Sequence, residues 1–163
     1  ENILRISRVQ DRYKPSIDDV PLRPLVDELL KSFRVLHAKT TFVLEVPAHI
    51  TLRADRHALR QVILNLLDNA IKFGPAEQTV TVSAVAESGR TIVRVSDQGP
   101  GIPVSDRNHV WETFYRGESA TGSGSGIGLA VARELVEAMG GGVQVEDNTH
   151  GATISFWLAS GEV

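Results

Sequence analysis

The chain has 163 residues, of which 42% are hydrophobic and 23% are charged, an ordinary balance for one globular domain with a sizeable core. Its net charge of -3 argues against a nucleic-acid-binding protein, which usually shows a basic face. The absence of cysteine excludes disulfides and thiolate chemistry. No apolar run approaches the roughly 20 residues that span a bilayer, and the N-terminus has no signal-peptide pattern.

The first 20 residues are expected to precede the main domain. Residues 1–11 carry a short apolar stripe typical of the end of a helix. Residues 11–21, "DRYKPSIDDVP", interrupt the periodicity with two prolines and are interpreted as a linker. We therefore expect a piece of a longer protein, in which residues 1–20 are a helix tail and linker and residues 21–160 form one domain.

The first half of the domain is predicted to alternate helices with strands. Apolar residues at helical spacing predict a helix over 22–37, and the β-branched segment 41–46 predicts a strand. Asp55 is a good N-cap for a further helix over 56–73. Strict alternation then predicts an antiparallel hairpin of residues 79–86 and 91–97.

The second half is predicted to surround a long glycine-rich segment. Residues 98–126 are rich in Gly, Ser and Pro, with one short helix around 105–113, and such a stretch inside a compact domain is usually functional or mobile. The remaining predicted elements are a helix over 126–139 and strands over 143–147 and 152–158. The predicted fold is therefore a two-layer α/β sandwich, with a mixed, mainly antiparallel sheet covered by helices on one face.

The helix over 56–73 carries amides where a core helix would not need them. Its apolar residues fall within an arc of about 140° that is predicted to face the sheet. Asn65, Asn69 and Lys72 lie together along one edge of that arc, at the seam between helix and sheet. An amide oxygen suits Mg²⁺ beside a polyphosphate, and a lysine suits phosphate. A polar helix edge that bonds to nearby loops is an equal alternative.

Two glycine-containing segments are further candidates. In "SDQGPGIP", residues 96–103, Asp97 shares one side of its strand with Val93 and Val95, so it either initiates a turn or binds a donor such as the adenine amine. "TGSGSGIGLAVA", residues 121–132, runs into a helix but matches neither the dinucleotide motif nor the P-loop. Its glycines allow a phosphate to approach the helix start, or form a flexible linker.

Taken in order, these motifs resemble the catalytic ATP-binding domain of sensor histidine kinases, in the superfamily that includes gyrase B, Hsp90 and MutL. The boxes that carry the resemblance are "LRQVILNLLDNAIKFGP", "DQGPGIP", "VWETFYRG", "GSGIGLAVARELVEAMGG" and "HGATISFWL". The resemblance covers residues 22–158 and implies the Bergerat-type ATP-binding fold, with ATP and Mg²⁺ as cofactors. Two departures are Trp111, where Phe is usual and only a packing change is expected, and Thr149, where Gly is common.

The resemblance also implies a role for individual residues. Asn69 is the implied Mg²⁺ ligand, supported by Asn65, and Asp97 is implied to bind the adenine amine. The implied phosphate contacts are Lys72 and Arg116. The other implied nucleotide-site residues are Phe73, Gly99, Gly101, Gly124, Gly126, Gly128, Leu129 and Thr153.

The choice between kinase and hydrolase depends on one position and on what the chain lacks. Hydrolysing members of the superfamily carry a general base, Glu, where this chain has Asn65, which favours phosphoryl transfer to a protein. None of the five histidines stands in the sequence context of a phosphoacceptor. The resemblance therefore implies a cytoplasmic catalytic domain, monomeric as this fragment. Its homodimeric parent is implied to carry the acceptor hairpin and to have a response regulator as a separate partner.

Three alternatives remain open from the sequence. The chain could be a hydrolysing ATPase of the gyrase or Hsp90 kind, although Asn65 and the brief lid argue against it. It could be a degenerate module that binds partners without nucleotide, although the intact boxes argue against that. A serine-directed kinase of the anti-sigma type shares the same boxes and is a close variant of the main hypothesis.

Overall fold

The structure is a computed structural model that describes residues 13–112, 128–146 and 150–162. The strands in this part of the chain are β1 (Asp18–Pro21), β2 (Thr41–Glu45), β3 (Thr51–Ala54), β4 (Thr79–Glu87), β5 (Arg90–Ser96), β6 (Gly142–Glu146) and β7 (Thr153–Ala159). The helices are α1 (Leu22–Leu36), α2 (Arg56–Phe73) and α3 (Gly128–Ala138), with a 3-10 turn over Val104–Asp106. The predicted helix tail over residues 1–11 lies outside the described residues.

The main sheet has five strands in the order β2-β4-β5-β7-β6. β2 runs parallel to β4, and the other neighbours are antiparallel. The β4–β5 hairpin turns through Ser88 and Gly89, both with positive φ, as a two-residue loop between twisted strands requires. The parallel pair is connected through β3 and α2, because parallel strands need a crossover. The predicted mixed, mainly antiparallel sheet is confirmed.

The helices cover one face of this sheet. Val82, Val95 and Ile154 lie in register across neighbouring strands and are buried against the helical layer. The predicted apolar arc of α2 is buried in the same core: Leu59, Val62, Ile63, Leu66, Leu67 and Ala70. The opposite face carries polar groups, including the Arg94–Glu146 ion pair at 2.8 Å. The α/β sandwich is therefore two-layered, as predicted.

Two short strands were not predicted. β1 lies within the segment interpreted as a linker, and it pairs antiparallel with β3 in a separate two-stranded sheet. Only Val20 among the four residues of β1 is buried, so the strand has no alternating pattern to reveal it. β3 is equally short, and its pairing with a segment more than 30 residues away is a tertiary effect.

The prediction of a short α-helix around residues 105–113 is wrong for the part of this segment that the structure describes, up to residue 112. The chain there forms a 3-10 turn over Val104–Asp106 and then irregular turns up to residue 112. Asp106 N, Arg107 N and His109 N each donate to the carbonyl three residues earlier, whereas Val110 N donates to the Asp106 carbonyl, four residues earlier. The mixture of tight and wider turns does not form a continuous α-helix up to residue 112. The substituted aromatic Trp111 is buried in the core, consistent with a packing role.

Candidate functional site

Asp55 caps the start of helix α2, and the buried apolar stripe of the helix determines which of its faces points to the core. The Asp55 carboxylate accepts hydrogen bonds from His57 N at 3.0 Å and Ala58 N at 3.3 Å, the expected N-cap. Its second oxygen accepts from Ser16 N at 3.0 Å, which fixes the preceding segment to the same helix end. Burial alone would raise the pKa of Asp55, but these backbone donors together lower it.

Asn65 holds two helices together. Its side-chain nitrogen donates to the carbonyl oxygen of Gly128, the first residue of α3, at 3.0 Å. Its Oδ1 accepts from Gln61 Nε2 at 2.7 Å. The amide at this position therefore positions the start of the helix that follows the glycine-rich segment.

Asn69 has no such partner. It is half-buried on α2, one turn after Asn65, and its side chain makes no hydrogen bond with any residue that the structure describes. A half-buried amide usually finds a partner, so this unpaired one is available for an external group. Its carbonyl oxygen is the donor type that a hard divalent cation prefers.

The last turn of α2 carries a cation and an aromatic ring. Lys72 lies 3.4 Å from Asp68, with side chains 43% and 53% exposed. An exposed i,i+4 ion pair of this kind contributes little, so the ammonium group can exchange Asp68 for a phosphate at small cost. Phe73 is half-buried at the end of the helix.

Asp97 both starts a turn and keeps one oxygen available. Its Oδ1 accepts from Gly99 N at 2.9 Å and from Ala152 N at 3.0 Å. No described residue donates to its Oδ2. Burial raises the pKa of Asp97 above its ordinary value, and the two backbone donors only partly oppose that shift. The turn and the binding interpretations of this residue are therefore compatible.

Glycines bring three chain segments together around Asp97. A Cβ on Gly99 would lie 2.9 Å from the Phe73 carbonyl oxygen, so the Asp97 turn packs directly against the end of α2. Gly151 has φ +83°, and a Cβ there would collide with the Asp97 carbonyl oxygen. Gly101 faces Gly151 from the other side. The predicted asparagine helix and the predicted aspartate turn thus adjoin one another.

Thr153 is not placed beside Asp97. Its hydroxyl bonds to Ser96 Oγ at 2.9 Å, on the sheet face opposite to that of Asp97, because neighbouring strand residues point to opposite faces. The residue next to it, Ala152, contacts Asp97 instead, through its backbone N–H. Sequence reasoning attends to side chains and therefore missed a backbone donor.

Gln78 and Gly151 were also missed. Gln78 is buried between α2 and the Asp97 turn, and no local pattern distinguishes it from an exposed turn glutamine. Gly151 lies in the segment "HGATISFWL", where a glycine directly before a predicted strand could have indicated a tight turn. Of the predicted lid residues, Gly128 and Leu129 begin α3. Arg116, Gly124, Gly126 and the Thr149 departure lie outside the described residues.

A cavity of about 460 Å³ lies at another place in the fold. Trp111, Arg133 and Trp157 are among its lining residues, beside the edge strand β6. None of the predicted site residues that the structure describes lines it. The candidate site is therefore defined by the convergence of α2 with the Asp97 turn, and not by this cavity.

A two-layer sandwich with this strand order, an amide-bearing helix and an adjoining aspartate turn defines the class of protein as a histidine-kinase-type nucleotide-binding domain. Residues 54–162 match the family of histidine kinase-, DNA gyrase B-, and HSP90-like ATPases, and the chain belongs to that family.

Relatives of known kind agree with this assignment. The chain is similar to the circadian input-output histidine kinase CikA of Synechococcus elongatus, with 38% identity over 110 residues that cover 65% of this chain and 15% of CikA. It is similar in structure to the mycobacterial sensor histidine kinase MprB, with a TM-score of 0.83 and 30% identity over 90% of this chain and 100% of that one. Full-length ShkA in complex with AMPPNP gives a TM-score of 0.80 and 29% identity over 99% of this chain and 35% of that one.

Much of each full-length relative has no counterpart in this chain. The chain spans between 15% and 43% of the length of CikA and of three other curated histidine kinases that it matches. Within the described residues, no helix combines the length and the apolar composition needed to cross a lipid bilayer.

Proposed function

We propose that this domain binds Mg-ATP and donates the γ-phosphoryl group to a histidine on a helical hairpin outside this chain. The observation that carries the proposal is the pair of unused groups on adjoining elements, the unpaired Asn69 amide and the open Oδ2 of Asp97. An uncharged oxygen donor fits a magnesium ion, and a carboxylate oxygen fits the exocyclic amine of adenine. When bound, the metal ion neutralises phosphate charge.

The residues at the helix end of the site would serve the phosphates. Asn69 would hold the metal ion, and Lys72 would exchange its exposed contact with Asp68 for a phosphate oxygen. Asn65 would act mainly by holding the start of α3 through Gly128, where backbone N–H groups attract phosphate. Arg116 is proposed to reach the terminal phosphates.

The other proposed residues surround the base and the lid. Asp97 would accept a hydrogen bond from the adenine amine, while its Oδ1 bonds keep the carboxylate in one orientation. Around the nucleotide we propose Phe73, Gly99, Gly101, Gly124, Gly126, Gly128 and Leu129. Thr153 would contribute through its strand, with its side chain on the opposite face.

Phosphoryl transfer is favoured over hydrolysis by the state of Asn65. A hydrolase needs a base for the attacking water, and the Asn65 amide cannot take a proton and already bonds to Gln61 and Gly128. Transfer to a protein acceptor asks mainly for positioning and charge neutralisation.

The rest of the parent protein follows from the same proposal. We propose that residues 1–20 continue from a dimerisation hairpin that bears the acceptor histidine, and that residues 21–160 are the catalytic domain. The parent would be a homodimer that phosphorylates a response regulator, with this domain in the cytoplasm and monomeric when separate.

The test is calorimetric titration with ADP and a non-hydrolysable ATP analogue, each with and without Mg²⁺. Wild type is expected to bind both, and Asn69→Ala should lose most of the magnesium dependence while it still binds the base. Gln144→Ala is the matched control, because it removes an exposed amide on β6 far from α2. Absence of binding at millimolar nucleotide would reject the proposal.

A second experiment separates the kinase from the hydrolase. The domain is mixed with a separately made hairpin that carries an acceptor histidine, and γ-labelled ATP is added. Label on that histidine is expected. Steady release of free phosphate with no protein label would favour the hydrolysing alternative instead.

A further inference from the structure

Gln78 is a buried polar residue in the turn between α2 and β4. Only 6% of its surface is exposed. Its Nε2 donates to the carbonyl oxygen of Ala70 in the last turns of α2, at 3.1 Å. Its Oε1 accepts from the backbone N–H of Gln98, at 3.0 Å. Both hydrogen-bonding ends of one amide are therefore used, on two different elements.

The contact is reinforced from the other side. The side chain of Gln98 reaches back, and its Oε1 accepts from Thr79 N, the residue after Gln78, at 2.7 Å. Gly74 leaves the space that the Gln78 amide occupies, since a Cβ there would collide with it. The two glutamines thus form a reciprocal clasp between the turn after α2 and the turn after β5.

The hydrogen bonds of Gln78 join two residues, each of which directly follows a candidate ligand-binding residue in the sequence. Ala70 comes directly after Asn69, and Gln98 comes directly after Asp97. The Gln78 amide therefore links the two elements that carry the proposed metal ligand and the proposed base-binding carboxylate, beside the close approach of Gly99 to the Phe73 carbonyl. The Gln78 side chain is buried and bonded at both ends to the protein, so it acts on the site through these two elements and not as a ligand-binding group.

We infer that Gln78 is a positioning residue for base recognition, which holds Asp97 at the distance from α2 that an adenine nucleotide requires. The inference rests on the proposed function, because it assumes that Asp97 accepts the adenine amine. A purely structural role would stabilise the turn without affecting which base is preferred. The two interpretations differ in base selectivity, which can be measured.

The experiment compares the affinities of ADP and inosine diphosphate, which share their phosphates and ribose. Inosine has a carbonyl oxygen where adenine has its amine, so it offers Asp97 an acceptor instead of a donor at that position. Wild type is expected to prefer ADP by about tenfold or more, as for a site whose buried polar group is left unpaired by the wrong ligand.

Gln78→Met keeps the shape of the side chain and removes both hydrogen bonds. We expect the Kd for ADP to rise about fivefold or more, with less than about a twofold change for inosine diphosphate, so that the preference largely disappears. Gln144→Met, on the exposed surface of β6, is the matched control and should retain the wild-type preference. Thermal unfolding monitored by circular dichroism defines the temperature at which both variants are folded.

Gln98→Ala is the second variant, because the Gln98 side chain is exposed and its loss removes only the bond to Thr79 N. It should reduce the same preference, by about threefold. An unchanged preference in Gln98→Ala and in folded Gln78→Met would overturn the inference and leave the proposed function intact. A wild-type protein that binds neither nucleotide would overturn the proposed function itself, and one that binds both equally would overturn the inference by removing Asp97 from base recognition.

Discussion

Replacement of Asp97 by asparagine should separate nucleotide binding from folding stability. An asparagine keeps the size of the side chain, and its carbonyl oxygen can still accept from Gly99 N and Ala152 N. An amide NH2 group, however, replaces the open Oδ2, so two hydrogen-bond donors, this group and the adenine amine, would face each other. A lost hydrogen bond to a charged group corresponds to about 1.5–3 kcal/mol, so the Kd for ADP should rise roughly 10- to 150-fold.

The stability of the same variant should move in the other direction at neutral pH. Because burial raises the pKa of Asp97, the folded state holds its proton to a higher pH than the unfolded state does. Wild type therefore loses stability as pH rises from the unfolded pKa of about 3.9 through the folded pKa. Asparagine has no charge to bury, so Asp97→Asn should be at least as stable as wild type at about pH 7.

The assay combines calorimetry with chemical unfolding across pH. The difference in unfolding free energy between Asp97→Asn and wild type should grow in favour of the variant as pH rises above about 4. Two results would refute the reasoning: ADP affinity within twofold of wild type, or a variant that is less stable than wild type at neutral pH but not in acid. The first would remove Asp97 from the base site, and the second would show that its charge is stabilising.

Three further substitutions test the elements around the site. Asp55→Ala should lower the free energy of unfolding, measured in urea near neutral pH, by about 1 kcal/mol. The loss should be smaller in acid, because the pKa of Asp55 is lowered in the folded state and its stabilisation disappears as pH falls through that pKa. An equal loss at all pH values would contradict this. Gly151→Ala should destabilise the fold and weaken ADP binding together. The backbone at residue 151 has φ +83°, which disfavours any side chain, and a Cβ there would collide with the Asp97 carbonyl oxygen. An unchanged thermal unfolding temperature would contradict this. Lys72→Ala should change the free energy of unfolding by less than about 0.5 kcal/mol, because the ion pair of Lys72 with Asp68 is exposed. In competition assays it should weaken the binding of ATP but not of adenosine. An equal loss of affinity for both would show that Lys72 does not contact the phosphates.

The parts of the fold that were predictable are encoded by neighbouring residues. Helix α2 has a capping residue, Asp55, at its start and a continuous apolar stripe, and its observed bounds agree with the predicted 56–73. The β4–β5 hairpin alternates strictly around a two-residue turn. In both cases each residue's environment is set by residues a few positions away, so periodicity alone is informative.

The missed elements depend on residues that are distant in the sequence. β1 and β3 are four residues each, and neither has a pattern that distinguishes a strand from an extended loop. Gln78 is buried only because the Asp97 turn folds back onto the end of α2. A neutral glutamine in a turn gives the same local signal whether it is exposed or clasped between two elements, so its burial could not be predicted.

The chemistry of the candidate site and its dimensions thus come from different parts of the sequence. Asn69 and Asp97 were found because each lies on an element with a clear period. Their separation is set by contacts between non-neighbouring atoms: the Gln78 amide, the approach of Gly99 to the Phe73 carbonyl, and the pairing of Ala152 with Asp97. All three involve the turn after β5, whereas α2 is stabilised by its own buried stripe and cap. A change in that turn should therefore displace the base end of the site while α2 stays folded.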